Sequence, residues 1–312
     1  MATLKFGISL GLYPFGVPEP DFLFRFAERA EELGFDSISL GDHIVMHSPL
    51  LEPLTVLSAF AARTKRIALT TGVLLLPLRN PAVVAKMVSS LDYLSGGRVI
   101  CGVGVGGENP KEFELCGIPL QERGRRTDEA IVILRKLWAG SHVSHSGHFW
   151  QFEDASMDPK PVQRPGPPIW VGGRSDAALR RAALLCDGWV AYLVAPERYA
   201  ASLEKIRGFA AAAGRDLSAF TPAHHQFIYV APNRELARDK AIAYLSKNYN
   251  QPFEGIVERY CALGSPADCV RWLERCAESG VQHVILRSTC GPEDLLEQMA
   301  IYANEILPCF RG

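Results

Sequence analysis

Pro168-Ile169-Trp170-Val171-Gly172-Gly173-Arg174-Ser175-Asp176-Ala177-Ala178 passes from an apolar run, through a glycine pair, into residues that open a helix. A strand that ends in a glycine turn and feeds a helix leaves successive backbone N–H groups unsatisfied and pointing outward. The Ser175 hydroxyl adds a donor to that set. This suits a phosphate, and it is also what an ordinary serine-capped helix after a tight turn looks like. A second glycine-rich strand end favours the ligand reading, because Gly102, Gly104, Gly106 and Gly107 precede Glu108. Two strand ends free of side-chain bulk suit one cofactor lying across both.

On either side of this stretch, strand and helix patterns alternate. Leu4, Phe6, Ile8 and Leu10 alternate with small or polar residues as a first strand, and Asp21 precedes a helix with Phe22, Phe26, Ala30 and Leu33 on one stripe, closed by Gly34. Further strands are expected at 37–43, 67–76, 99–106, 168–172, 188–193, 225–231 and 283–288. Helices are expected at 53–64, 81–94, 122–138, 176–185, 196–213, 267–280 and 293–307. Eight strands, most followed by a helix and without an obvious linker, predict an α/β fold, a closed (β/α)8 TIM barrel with insertions, as a single domain over 1–312. Two excursions interrupt the rhythm. The first, near 139–167, carries Pro159, Pro161, Pro165 and Pro167, with Phe149, Trp150 and Phe152 to clamp it; it is expected on the βα side, covering a pocket. The second, near 248–264, carries Tyr249, Phe253 and Tyr260 and is expected to be mobile or to face a partner.

Composition narrows the function. The 312 residues are 48% hydrophobic and include 33 basic and 34 acidic side chains, for a net charge of −1 with no long block of either sign. That balance gives no electrostatic case for nucleic acid and points to a small-molecule partner. The eight cysteines form no C-x-x-C pair and several sit in apolar segments, which reads as reduced, buried thiols. The N-terminus enters its first strand without a basic segment and apolar run, so membrane insertion and secretion are not expected and a cytoplasmic location is.

Asp42-His43 is the first charged strand end, and a barrel puts it at the C-terminal mouth, where His43 can donate to a substrate oxygen or shuttle a proton. The alternative is a capping aspartate beside a histidine that satisfies the local backbone. Glu108 is a mouth carboxylate or a solvated loop residue, and Glu112 and Glu114 are weaker candidates on one short amphipathic turn. Arg123, Arg125 and Arg126 form a basic cluster more typical of salt bridges than of phosphate binding. Arg174 and Arg287, each at an expected strand end, are better candidates for a phosphate or an acidic substrate. No metal is expected: His43 and His47 have helical spacing but Pro49 interrupts them, and His224 and His225 fall on opposite strand faces.

Gly41-Asp42-His43, Thr71-Gly72-Val73, Leu91-Asp92-Tyr93-Leu94-Ser95-Gly96-Gly97-Arg98, Gly102-Val103-Gly104-Val105-Gly106 and Trp170-Val171-Gly172-Gly173-Arg174-Ser175 together resemble the luciferase-like flavin- and coenzyme F420-dependent oxidoreductases. The resemblance runs over nearly the whole chain. It implies a flavin or deazaflavin ring in the barrel mouth beside Asp42, Gly72, Val73, Gly104 and Gly106. It places a phosphate at Gly172, Gly173, Arg174 and Ser175, and makes Arg174 and Arg287 parts of a basic route for a cofactor tail. It also implies a non-prolyl cis bond between Gly72 and Val73, with His43 and Glu108 as the catalytic pair. Glu108 resembles the carboxylate of F420-dependent sugar dehydrogenases. Val105 departs from bacterial luciferase, which carries an arginine for FMN phosphate at that place. The expected activity is therefore F420-dependent hydride transfer to or from a small organic substrate. The alternatives are a reduced-FMN-dependent monooxygenase, served by a flavin reductase, and a non-enzymatic flavin-binding protein. Relatives of this kind often form homodimers, and the apolar helices around 53–94 are the expected contact.

Overall fold

A computed structural model describes residues 3–311. In chain order the strands are β1 (Lys5–Leu10), β2 (Ser37–Leu40), β3 (Ala68–Thr71), β4 (Leu74–Leu75), β5 (Val99–Gly104), β6 (Val143–Ser146), β7 (Gln151–Ala155), β8 (Ile169–Gly172), β9 (Gly188–Tyr192), β10 (Thr221–Val230), β11 (Cys261–Gly264) and β12 (His283–Ser288). The helices are α1 (Pro20–Glu32), α2 (Pro53–Arg63), α3 (Pro81–Ser95), α4 (Pro110–Leu115), α5 (Arg123–Ala139), α6 (Asp176–Leu185), α7 (Pro196–Ala212), α8 (Arg234–Tyr249), α9 (Val257–Tyr260), α10 (Pro266–Glu278) and α11 (Pro292–Ile301). Strands β1, β2, β3, β5, β8, β9, β10 and β12 pair in parallel around a ring. The ring closes where Lys5 to Ile8 of β1 register with His283 to Leu286 of β12. This is the expected (β/α)8 barrel. Helices pack outside it against the alternating apolar residues of the strands, as with Phe6, Ile8 and Leu10, which share one face of β1 and are all buried.

Helix starts follow local chemistry. Pro81 follows the Asn80 cap of α3, and Ser265 with Asp268 forms a capping box at α10. Gly96 ends α3 in the left-handed conformation at φ 70°. The expected strand at 67–76 is split into β3 and β4 by a cis peptide between Gly72 and Val73, as the resemblance implied.

The first excursion differs from expectation in where it leaves the barrel. Residues 139–167 leave the C-terminus of α5 and so start at the end of the barrel opposite the mouth, not on the βα side. They form the β6–β7 hairpin, which lies along the outside of α5. There the Glu129 carboxylate accepts the backbone N–H groups of His148, Phe149 and Trp150 at 2.9–3.1 Å, and Arg126 stacks on Phe149. The aromatic clamp is real, but it holds a hairpin to a helix, and none of the residues 139–167 lines the cavity at the strand ends. The segment 248–264 contains regular elements: α8 runs to Tyr249, Phe253 is buried, and β11 adds to the upper half of β10 through Phe227–Cys261 register. Helix α8, which was not expected from the sequence, buries Ala237, Ala241, Tyr244, Leu245 and Asn248, a side rich in alanine with a polar residue at its end that gives only a weak apolar stripe.

All eight cysteines are free, and burial pushes the Cys101, Cys186, Cys269 and Cys276 thiols up to about 12, which leaves them inert. No helix among the described residues is long and apolar enough to cross a membrane.

Candidate active site

The C-terminal strand ends surround a cavity of about 610 Å³, a size suited to a cofactor with a small substrate. His43, Glu108, Asp42, Gly72, Val73, Gly104, Gly106, Gly172, Gly173, Arg174, Ser175 and Arg287 all contribute to its wall. Met46, Leu50, Tyr192, Arg198, His225 and Tyr249 join them.

The glycines are explained by the bulge. A Cβ on Gly104 would stand 2.5 Å from Val73 and collide with it, and one on Gly172 would stand 3.3 Å away and crowd it, so both glycines make room for the residue that projects from the broken strand. Gly173 has φ +115° and precedes α6, where Ser175 accepts the Ala178 N–H at 3.3 Å. The first turn of α6 thus opens beside the cavity with backbone donors free for an anion. Val73 as a backing surface, this anion cradle and a buried Arg287 Nε without a partner fit a planar ring that carries a phosphate.

Asp42 behaves differently from the expected ring contact. Its carboxylate is completely buried and accepts from Leu75 N at 2.8 Å and from both terminal nitrogens of Arg79 at 2.6 and 2.9 Å. Burial raises its pKa above the usual carboxylate range against the pull of Arg79. The side chain braces the segment after the bulge and has no free oxygen to offer a ligand.

His43 lies between two carboxylates. Its Nδ1 is 3.2 Å from both oxygens of Glu112, which is fully buried and also accepts Ile44 N at 2.6 Å; its Nε2 is 3.9 Å from Glu108. Glu108 accepts in turn from the Tyr192 hydroxyl, and burial together with the Glu108 charge keeps that phenol protonated. Sequence alone ranks Glu112 low, because it does not show that a short turn after a glycine loop folds back onto the strand two loop. The signal available was its place in the first turn of a helix begun by Asn109-Pro110.

Arg174 stacks over Tyr192 at 5.2 Å and donates to Leu193 O, while Arg287 stands over Phe227 at 5.3 Å. Among the described residues, Arg174, Arg198 and Arg287 make no ion pair within 4 Å. Arg123, Arg125 and Arg126 are engaged elsewhere: Arg123 donates to Leu120 O, Arg125 approaches Phe149, and Arg126 pairs with Glu122. His225 faces the cavity with both ring nitrogens unpartnered, and burial holds its pKa down to about 3, so the ring is neutral. His224 packs against Tyr199 instead, consistent with opposite faces. His47 Nε2 is 2.5 Å from the Asn248 carbonyl and serves to tie the strand two loop to α8.

Residues 5–283 match the model of the family described as luciferase-like monooxygenase. An F420-dependent glucose-6-phosphate dehydrogenase of Microbacterium testaceum is 30% identical, with 99% of this chain and 98% of that protein covered. An uncharacterized protein of Mycobacterium tuberculosis is 37% identical over 189 residues, which span 54% of this chain and only 64% of that relative's length. The crystal structure of monooxygenase RslO1 from Streptomyces bottropensis superposes with a TM-score of 0.88 at 27% identity, covering 98% of this chain and 100% of that one. With its barrel, its bulged third strand and its glycine-lined mouth, the chain belongs to the luciferase-like monooxygenase family, a superfamily of oxidoreductases.

Proposed function

We propose that the protein is an F420-dependent oxidoreductase that transfers a hydride to or from a small organic substrate. The observation that carries this reading is His43 and Glu108 facing each other across 3.9 Å at the cavity wall. That gap is too long for a hydrogen bond and wide enough for a substrate oxygen to bridge. A bound deazaflavin supplies a ring carbon that takes or gives the hydride without oxygen. His43 exchanges the one accompanying proton with the substrate oxygen, and Glu108, held by Tyr192, is the alternative group for that proton. Three unpaired arginines favour a ligand with negative charge, met by the phosphate and acidic tail of F420 at Gly172, Gly173, Arg174, Ser175 and Arg287. The uncharged Val105 and the full-length similarity to an F420-dependent dehydrogenase support the same choice.

The likeness to a monooxygenase and the apolar Met46 and Leu50 in the wall favour reduced FMN as the second reading. Parallel titrations with F420 and FMN, oxidised and reduced, under anaerobic and aerobic conditions separate the two. F420 is expected to bind more tightly. FMN binding without measurable F420 binding, or an oxygen-dependent flavin species, overturns the proposal.

The outer face of α2 and α3 extends the reading to a homodimer. Val83, Met87, Tyr93 and Leu94 are 57, 40, 61 and 69% exposed on α3, and α2 contributes the exposed Thr55, Ser58 and Ala62 beside them. Sedimentation equilibrium is expected to give twice the chain mass of 34.3 kDa; a monomer at working concentration rejects this contact.

A further inference from the structure

We infer that Glu112 is a positioning residue for His43: it holds the imidazole as the tautomer with its proton on Nδ1, so that Nε2 meets the cavity as a free lone pair. The inference rests on the proposed role of His43 in proton transfer, but its geometry stands apart from any choice of cofactor.

Helix α4 begins with Asn109 as its cap and Pro110 behind it, and this places Glu112 in the first turn, under the loop that follows β2. The loop is pinned from both sides. Asn109 Nδ2 donates to Val45 O at 3.0 Å, and the Ile44 and Val45 N–H groups donate to Glu112 Oε1 at 2.6 and 3.4 Å. An amide N–H is a donor only, so the Glu112 oxygens act as acceptors toward this loop. His43 Nδ1 then lies 3.2 Å from both of those oxygens. A bare Nδ1 there would set lone pair against lone pair in a buried place, whereas Nδ1–H makes a charge-assisted hydrogen bond.

Among the described residues, no carboxylate on the other side of the ring comes within hydrogen-bond distance. The carboxylate nearest Nε2, Glu108, is 3.9 Å away and already accepts from Tyr192. Asp42, the neighbouring residue, is committed to Arg79 and Leu75 N. The ring therefore takes its orientation and proton placement from Glu112 alone, much as an orienting carboxylate does behind a general base. A substrate hydroxyl entering between His43 and Glu108 finds an acceptor at Nε2. When Nε2 takes that proton, the resulting imidazolium stands between two carboxylates. No residue has to rotate.

The test reads the tautomer directly. Protein labelled with 15N-histidine is examined by long-range 1H–15N correlation in mildly alkaline buffer, and a His43→Asn variant identifies the His43 signals. The Nδ1–H pattern is expected in the wild-type protein. In Glu112→Gln, the ratio of the two neutral forms should move toward Nε2–H by about tenfold, the order expected for loss of a hydrogen bond to a charged group. Turnover should fall with it, through kcat more than KM. A wild-type His43 that carries its proton on Nε2 overturns the inference, and this holds even if Glu112→Gln does not fold. So does a folded Glu112→Gln with a lower melting temperature and an unchanged tautomer, which would make Glu112 a staple for the loop and nothing more. If the tautomer behaves as expected but F420 neither binds nor turns over, the proposed function fails and the positioning role survives.

Discussion

Removing the charge of Asp42 should destabilise the fold out of proportion to the single atom changed. The Asp42 carboxylate is fully buried, Arg79 is 15% exposed, and the two meet through paired contacts of 2.6 and 2.9 Å, with Leu75 N as a third donor. In Asp42→Asn, Arg79 keeps Glu52, at 3.5 Å, as its remaining counter-charge and the Leu75 carbonyl at 3.4 Å as an acceptor. Breaking one side of a buried pair costs about 3–5 kcal/mol, because the partner is left charged without compensation. Partial rescue by Glu52 favours the lower end. At roughly 2–4 °C per kcal/mol for proteins of this general size, the melting temperature should drop by about 6–12 °C. Arg79→Met alone should cost a similar amount. The double variant should be more stable than the sum of the two losses, with a coupling of about 2 kcal/mol in a denaturant-based double-mutant cycle. Coupling below about 0.5 kcal/mol, or an Asp42→Asn protein that melts like the wild type, would refute the view that this pair braces the bulged wall.

Other outcomes follow from the same geometry. His43→Ala and Glu108→Gln should each lower hydride-transfer turnover by about 10²–10⁴-fold with a smaller change in cofactor affinity; unchanged turnover in both removes them from the chemistry. Arg287→Met should weaken binding of an anionic cofactor or substrate by about 10–100-fold in equilibrium titration, and undiminished binding would mean that its unpartnered Nε faces no ligand anion. Burial depresses the folded-state pKa values of His224, His225 and His283 to about 4, 3 and 4. The unfolded chain therefore takes up protons first as pH falls below 6.5, so stability is full above that pH and is lost between 6.5 and about 4. The slope should approach three protons, about 4 kcal/mol per pH unit. Urea titrations across that range should show it, His224→Phe should remove about one proton from the slope, and uptake of less than one proton would contradict the buried neutral rings. Val83→Lys with Leu94→Lys should convert a dimer to monomer in sedimentation equilibrium while the thermal transition of the barrel remains cooperative.

The sequence by itself determined the barrel and the ring of strand ends. Strand alternation is local, glycine turns are local, and parallel strands separated by helices have few ways to close. The break at Gly72-Val73 was legible through its resemblance to a family pattern, not through propensity. What the sequence could not hold was direction and depth. Residues 139–167 looked like a lid because proline and aromatic content says that a segment is irregular, but not which end of the barrel it leaves from. Asp42 and Glu112 traded places for a similar reason. From sequence, Asp42 stood at a mouth strand end and Glu112 on an amphipathic turn, yet folding turns Asp42 onto Arg79 and brings Glu112 beneath His43, 69 residues away. The roles of charged side chains depend on which opposite charges and N–H groups come within about 3 Å, and those partners come from loops far apart in the chain. Only the closed barrel, which gathers eight strand ends around one cavity, decides them.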